Sequence, residues 1–256
     1  MKQNRKRILL IEPPFYRLYK DTYSLDRYPL SLGYLAGTVY KETDWEVLVY
    51  NADFCSQSEP MSVAYLADTG YRNYLNNLND LAMPVWSEIK STILDFKPDV
   101  IGITTKSQNF KSVCIVARLA KEINKEIVVM VGGPHPSMVG SDIFNCSDFD
   151  VSIIGEGEEV IVELLDAIGV QEGFDGIRGI IYREKGETVE AAPREYINDL
   201  DSLCFPHENA PDVLKDYDQY PRTAFRNIFT IRGCPYNCLF CGSYKIWSRK
   251  SRFRSP

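Results

Sequence analysis

Short runs of β-branched and apolar residues alternate along this chain with longer stretches in which apolar positions recur every three or four residues. The runs predict strands buried on both faces and the stretches predict amphipathic helices, so the alternation predicts βαβ units around a parallel sheet. Strands are expected at residues 7–11, 45–50, 100–104, 127–131 and 151–154, and helices at about 31–41, 84–96, 110–124 and 158–168. Five such strands make an α/β, doubly wound sheet of the flavodoxin or Rossmann type, with right-handed crossovers. Ligands of these sheets bind outside the carboxyl ends of the strands, so the loops at 12–16, 104–109, 132–137 and 155–158 should converge on one site. The connection from Asp53 to Pro84 is too long for a plain loop, and Tyr65, Tyr71 and Tyr74 within it suggest an inserted helix that packs on the domain. Beyond residue 169 the pattern becomes a hairpin, 179–182 and 188–191 around Lys185-Gly186, then an acidic, proline-punctuated linker at 193–221 that wraps onto the first domain. A last strand at 227–231 runs into a cysteine cluster. The expected organisation is an α/β domain over 1–170, a hairpin and linker over 171–221, and a third region over 222–256.

Composition narrows the class. The 256 residues are 45% apolar and 25% charged, which excludes collagen-like, disordered and disulfide-scaffold chains. No apolar run approaches the ~18 residues of a membrane helix, and the apolar stretch after the basic start is too short for a secretory signal. The expected location is therefore cytoplasmic, with no membrane partner. The net charge of −6 is unevenly spread, since every acid lies at or before Asp218 and residues 222–256 carry eight basic side chains. Arg232, Lys245, Arg249, Lys250, Arg252 and Arg254 could offset thiolates and a bound carboxylate, contact nucleic acid, or form a solvated face. In an acidic chain nucleic acid is the weakest of the three.

Seven cysteines without an export signal argue for reduced thiols. Cys55, Cys114, Cys146 and Cys204 are scattered, whereas Cys234, Cys238 and Cys241 form CxxxCxxC at a strand end. Three thiolates at this spacing can hold three irons of a cubane and leave the fourth open. Structural zinc would need a fourth ligand, for which the chain offers only distant Cys204, His135 and His207. Other nucleotide motifs fail. Gly155-Glu156-Gly157 follows the fifth strand and has Val160 where the dinucleotide fingerprint needs glycine or alanine, its carboxylates would repel pyrophosphate, and no P-loop sequence occurs.

The CxxxCxxC motif with Phe240 before its last cysteine resembles the radical S-adenosylmethionine enzymes. That resemblance implies a 4Fe-4S cluster on Cys234, Cys238 and Cys241, S-adenosyl-L-methionine chelated at the open iron, and Phe240 near the adenine. Pro13-Pro14 after the first strand, Gly132-Gly133-Pro134-His135-Pro136 after the fourth and Gly155-Glu156-Gly157-Glu158 after the fifth are similar to the cobalamin-binding domain of the cobalamin-dependent subfamily. Asp199-Leu200-Asp201 and Phe205-Pro206 resemble the stretch that joins this domain to the radical barrel. A corrin needs close backbone approach, which Gly132 and Gly133 permit, and its nucleotide tail needs a slot with donors such as Thr104, Thr105, Ser107 and Gln108. The first loop lacks the Asp-x-His-x-x-Gly of cobalamin mutases, so cobalt without a histidine ligand is implied, with His135 the one local candidate.

The implied parent enzyme methylates an unactivated centre, or rearranges a ring, with methylcobalamin and a 5′-deoxyadenosyl radical. It would draw electrons from a flavodoxin or ferredoxin and act on a small molecule or peptide that the chain does not specify. About fifteen residues follow Cys241, so an incomplete start of a (β/α) barrel with an exposed strand edge, inactive in turnover alone, is expected. The competing reading is a non-catalytic cobalamin-binding module with a vestigial or zinc-holding cysteine loop.

Overall fold

The computed structural model describes residues 5–145 and 148–256, so Cys146 and the first four residues of the basic start lie outside the described residues. β1 (Arg7–Glu12) is buried along nearly its whole length and lies between β2 (Glu46–Asn51) and β3 (Val100–Thr104), both parallel to it. β4 (Val128–Gly132) and β5 (Val151–Ile153) continue the parallel set. The expected hairpin forms as β6 (Ile180–Glu184) and β7 (Glu187–Glu190), and Lys185 and Gly186 both take the positive φ of a tight type I′ turn. It does not stand apart from the sheet. β6 pairs antiparallel with β5, giving seven strands in the order β2-β1-β3-β4-β5-β6-β7 rather than five. The reason is an open edge: β5 would otherwise expose its unpaired backbone groups, and β6 covers them.

Helices cover both faces. Behind the β1 exit lie α1 (Tyr16–Tyr19), α3 (Val63–Ala67) and α4 (Thr69–Asn79), with α5 (Pro84–Phe96) and α6 (Phe110–Ile123) completing that layer. The 53–84 connection therefore holds two helices, and Tyr74 of α4 stacks on Tyr19 of α1 at 5.0 Å between ring centres. The opposite face carries α2 (Leu30–Glu42) and α8 (Glu158–Val170). The stretch after β7 runs back over α2, and α9 (Ala210–Val213) inserts into this second core, where Leu214 bridges to Val49 of β2. Two antiparallel residue pairs, β8 (Ile231–Arg232) with β9 (Arg252–Phe253), flank the cysteines, and α10 (Ser243–Trp247) packs on α7 (Pro134–Val139). Only the last residue of the expected 227–231 strand is extended into a ladder. Phe229 is instead turned in, with its N–H donating to the Tyr34 hydroxyl at 3.1 Å and its ring stacked on Tyr34. Among the described residues no helix is long and apolar enough to cross a membrane.

Asp53, just past β2, ties two strand exits together. Its buried carboxylate accepts the N–H groups of Phe15 at 2.8 Å and Arg17 at 3.0 Å. Burial pushes its carboxyl up to about 7, although these backbone donors pull it down. A carboxyl raised in the folded state opposes folding increasingly as pH rises from its ordinary value near 4 to about 7. Asp53→Asn keeps an acceptor without the charge. In urea titrations its midpoint should gain on the wild type between pH 4 and 7 and run parallel above, whereas a difference independent of pH would contradict the assignment.

Candidate functional site

Because β1, β3, β4 and β5 are parallel, their exit loops meet at one edge of the sheet. On the α2 and α8 side this edge opens into a cavity of about 260 Å³. Leu10, Met130 and Ile153 floor it, and Leu35 of α2 and Ile161 of α8 form its side walls. Gly102 of β3 presents no side chain to this space, and a Cβ there would come within 2.7 Å of Leu10. The volume falls just below the ~300–1,000 Å³ of pockets that enclose drug-sized ligands. It suits one flat apolar group inserted along the sheet, not a broad disc.

Thr104, Gly132, Gly133 and Pro134 lie on the cavity wall, with Gly155, Glu156 and Gly157 on the adjacent loop. Gly133 has φ +104°, and a Cβ on it would approach the Thr105 carbonyl to 3.1 Å, so glycine is required there by backbone as well as space. Gly132 has an ordinary φ, and a Cβ on it would meet nothing closer than 3.7 Å. Of the remaining loop residues at the β1, β3 and β4 exits, only Lys106 lines the cavity. Pro13 and Pro14, directly after β1, are buried. Thr105 donates its hydroxyl to the Ile103 carbonyl, and the Gln108 carbonyl accepts from Tyr74. Ser107 pairs with His135 Nδ1 at 3.0 Å, and burial beside Phe110 lowers the His135 pKa. Lys106 crosses from the β3 exit to Glu12 at 2.7 Å, while burial raises the Glu12 carboxyl more than this cation lowers it.

Glu156 was expected to face a cofactor, yet its carboxylate is already engaged. Oε1 accepts from Arg232 at 2.9 Å, and Oε2 from Arg252 at 2.7 Å and from the Ile197 N–H at 2.9 Å. Glu158 takes the other arm of Arg232 at 2.5 Å. All four side chains are at most 7% exposed. Arg232 also lies over the Tyr34 and Phe229 rings. Arg232 and Arg252 are thus spent on the α/β domain, whereas Arg254 holds the linker: it donates to the Leu203 carbonyl and sits 4.3 Å from the Phe205 ring. Two acids balance two arginines, and removing one would leave an uncompensated buried charge, at a cost of about 3–5 kcal/mol.

The cysteines sit immediately beyond this ion cluster. Gly233 takes φ +90°, and a Cβ on it would overlap the Lys250 carbonyl at 2.1 Å, which fixes the chain entering Cys234. Cys238 is exposed, Phe240 is 93% exposed, and the Cys241 thiol contacts the Ser243 hydroxyl at 3.1 Å, which lowers its pKa. Arg249 holds the turn by donating to Asn237 and the Tyr236 carbonyl. Among the described residues no three His, Cys, Asp or Glu side chains are gathered closely enough to hold a metal, so the expected ligand set is one loop of three thiols rather than a formed site. The donor chemistry suits iron and sulfide. For a corrin with a flat tail, the fit is an apolar slot along the sheet that opens past two adjacent glycines.

Sequence reasoning missed Gly102, Leu35, Trp247 and the pairing role of Arg232. A glycine inside the run Val-Ile-Gly-Ile-Thr was a usable signal for close approach, whereas the Arg232 partners lie 74 and 76 residues away. The two mouth glycines predict different costs. Gly133→Ala should lower stability by about 1–3 kcal/mol through backbone strain, and Gly132→Ala by no more than about 1 kcal/mol, in urea unfolding. Equal losses would contradict the distinction.

The B12 binding domain description matches residues 16–165. Over 252 residues, 97% of this chain, the sequence is 30% identical to the uncharacterized methyltransferase PH0819 of Pyrococcus horikoshii, of which it covers 48%. It is 30% identical over 225 residues, 80% of this chain, to the anaerobic magnesium-protoporphyrin IX monomethyl ester cyclase of Rubrivivax gelatinosus, covering 38% of that protein. The chain therefore spans about half or less of the length of these curated relatives. The cobalamin-dependent S-adenosylmethionine radical enzyme OxsB, solved with aqua-cobalamin and S-adenosylmethionine bound, shares the fold at a TM-score of 0.67 and 20% identity, over 98% of this chain and 30% of OxsB. With the family match covering more than half of its residues, and with the slot and mouth glycines on the matched sheet, the chain belongs to the B12-binding domain family.

Proposed function

We propose that this chain is the cobalamin-carrying, cluster-bearing part of a cobalamin-dependent radical S-adenosylmethionine methyltransferase. The single observation that carries the reading is the apolar slot that opens past Gly132 and Gly133 toward the strand that leads to Cys234. Cobalamin supplies a transferable methyl group, and the cluster with S-adenosylmethionine supplies the radical. The residues of this chain bind and orient. Leu35, Met130 and Ile161 exclude water from the slot, Thr104 offers a hydroxyl at its wall, and Gly132 and Gly133 let a disc approach the backbone. In this reading Cys234, Cys238 and Cys241 are the cluster ligands and Phe240 lies against the adenine, while no histidine of the β1 exit loop reaches cobalt. Regions 1–170, 171–221 and 222–256 act as cofactor domain, covering linker and cluster segment. The substrate and the electron donor belong to the whole enzyme.

The test is anaerobic incubation with hydroxocobalamin, desalting and a visible spectrum. Wild type should retain about one corrin per chain, and Gly132→Leu, which fills the mouth without backbone strain, should bind at least about tenfold more weakly. A folded wild type that retains none, or a Leu variant that retains as much, would sink the reading. Reconstitution should add about four irons per chain, where about one zinc would favour a structural loop.

A further inference from the structure

β8 and β9 pair through two residues each, far short of a strand pair that is stable alone. Their polarity is also inverted. Ile231 and Phe253 are exposed while Arg232 and Arg252, register partners directly across the ladder, are 3% and 5% exposed. Like charges opposite one another push an antiparallel pair apart. Here one carboxylate lies between them: each oxygen of Glu156 takes one arginine, and Oε2 also accepts the Ile197 N–H of the covering linker. Glu156, Glu158 and Arg232 line the cavity as well, together with Trp247, whose carbonyl accepts from Arg252 at 3.1 Å. Arg232 is two residues from Cys234, whose N–H donates to the Ser248 carbonyl across the same loop.

We infer that Glu156 is a positioning residue that clamps the cysteine-bearing strand pair to the cavity wall, so that filling the cavity tightens the loop that carries the thiols. The ligand half of this inference rests on the cobalamin reading above, and the clamp itself does not. Neutralising Glu156 leaves two opposed arginines, of which only Arg232 keeps an acid, Glu158. Removing Arg252 as well abolishes the repulsion, so the double variant should recover much of what the single one loses.

The experiment is hydrogen exchange on the full chain, comparing wild type, Glu156→Gln and Glu156→Gln/Arg252→Gln, each with and without hydroxocobalamin. Without ligand, peptides covering 230–254 should exchange on the order of tenfold faster in Glu156→Gln, with β1–β5 unchanged and the double variant intermediate. Hydroxocobalamin should slow the same peptides in wild type and much less in Glu156→Gln. Iron uptake during anaerobic reconstitution should fall at least threefold in the single variant and recover in the double. Wild-type exchange rates in Glu156→Gln, exchange that rises equally through β1–β5, or no recovery in the double variant would each overturn the clamp. Retained hydroxocobalamin without slowing at 230–254 would overturn the coupling. A wild type that retains no hydroxocobalamin defeats the functional reading, and the ligand-free comparison still decides the clamp.

Discussion

A single buried carboxylate joins the three parts of this molecule. Glu156 enters on the loop after β5, receives the linker through Ile197 and receives both strands around the cysteines through Arg232 and Arg252. Burying four charges is expensive, and their mutual attraction repays it only because Oε1 and Oε2 of Glu156 and Oε1 of Glu158 each meet an arginine, although Arg252 Nε is buried without a partner. An Arg-to-Met replacement would lose the pairing while leaving an acid stranded. The cluster therefore specifies where the chain beyond residue 231 lies more than it adds to overall stability. Two-residue strands could not do so alone, since their outward Ile231 and Phe253 remain 48% and 64% exposed.

The same loop geometry creates the slot. A parallel sheet sends all its exits to one edge, and glycine at 102, 132 and 133 keeps side chains out of the space that results. Hydrophobic walls on α2 and α8 then continue the core up to the mouth, where Glu156, Glu158 and Arg232 provide the only strongly charged wall besides Lys106 among the described lining residues. Among the described lining residues the cavity is thus apolar along the sheet, α2 and α8, and ionic on the side nearest the cysteines.

Much of this was legible in the chain. Apolar runs such as 8–11 and 100–104 satisfy burial on both faces as inner parallel strands, so their positions and the convergence of their exits followed from the order of residues along the chain. The mouth glycines were readable for the same reason: two glycines ending a strand mark close approach. Long-range pairings were not readable. Nothing local indicates that β6 completes the edge of β5, or that Arg232 and Arg252 turn inward while Ile231 and Phe253 turn out, because both depend on partners dozens of residues away. The acid-free stretch 222–256 did carry the relevant signal, an excess of cations in need of anions, but it could not say that the anions were Glu156 and Glu158. Glu156 itself was read as a cofactor contact because its motif pointed to the right edge; it lines the cavity, and its carboxylate oxygens are held by Arg232, Arg252 and the Ile197 N–H.

The most direct measurement is diffraction from crystals of the hydroxocobalamin-loaded chain at the cobalt absorption edge. The anomalous peak should lie at the edge where the β3, β4 and β5 exits meet, with continuous density for the ligand's tail between Leu35 and Met130. A cobalt peak elsewhere on the molecule, or an empty slot beneath a bound corrin, would contradict the account.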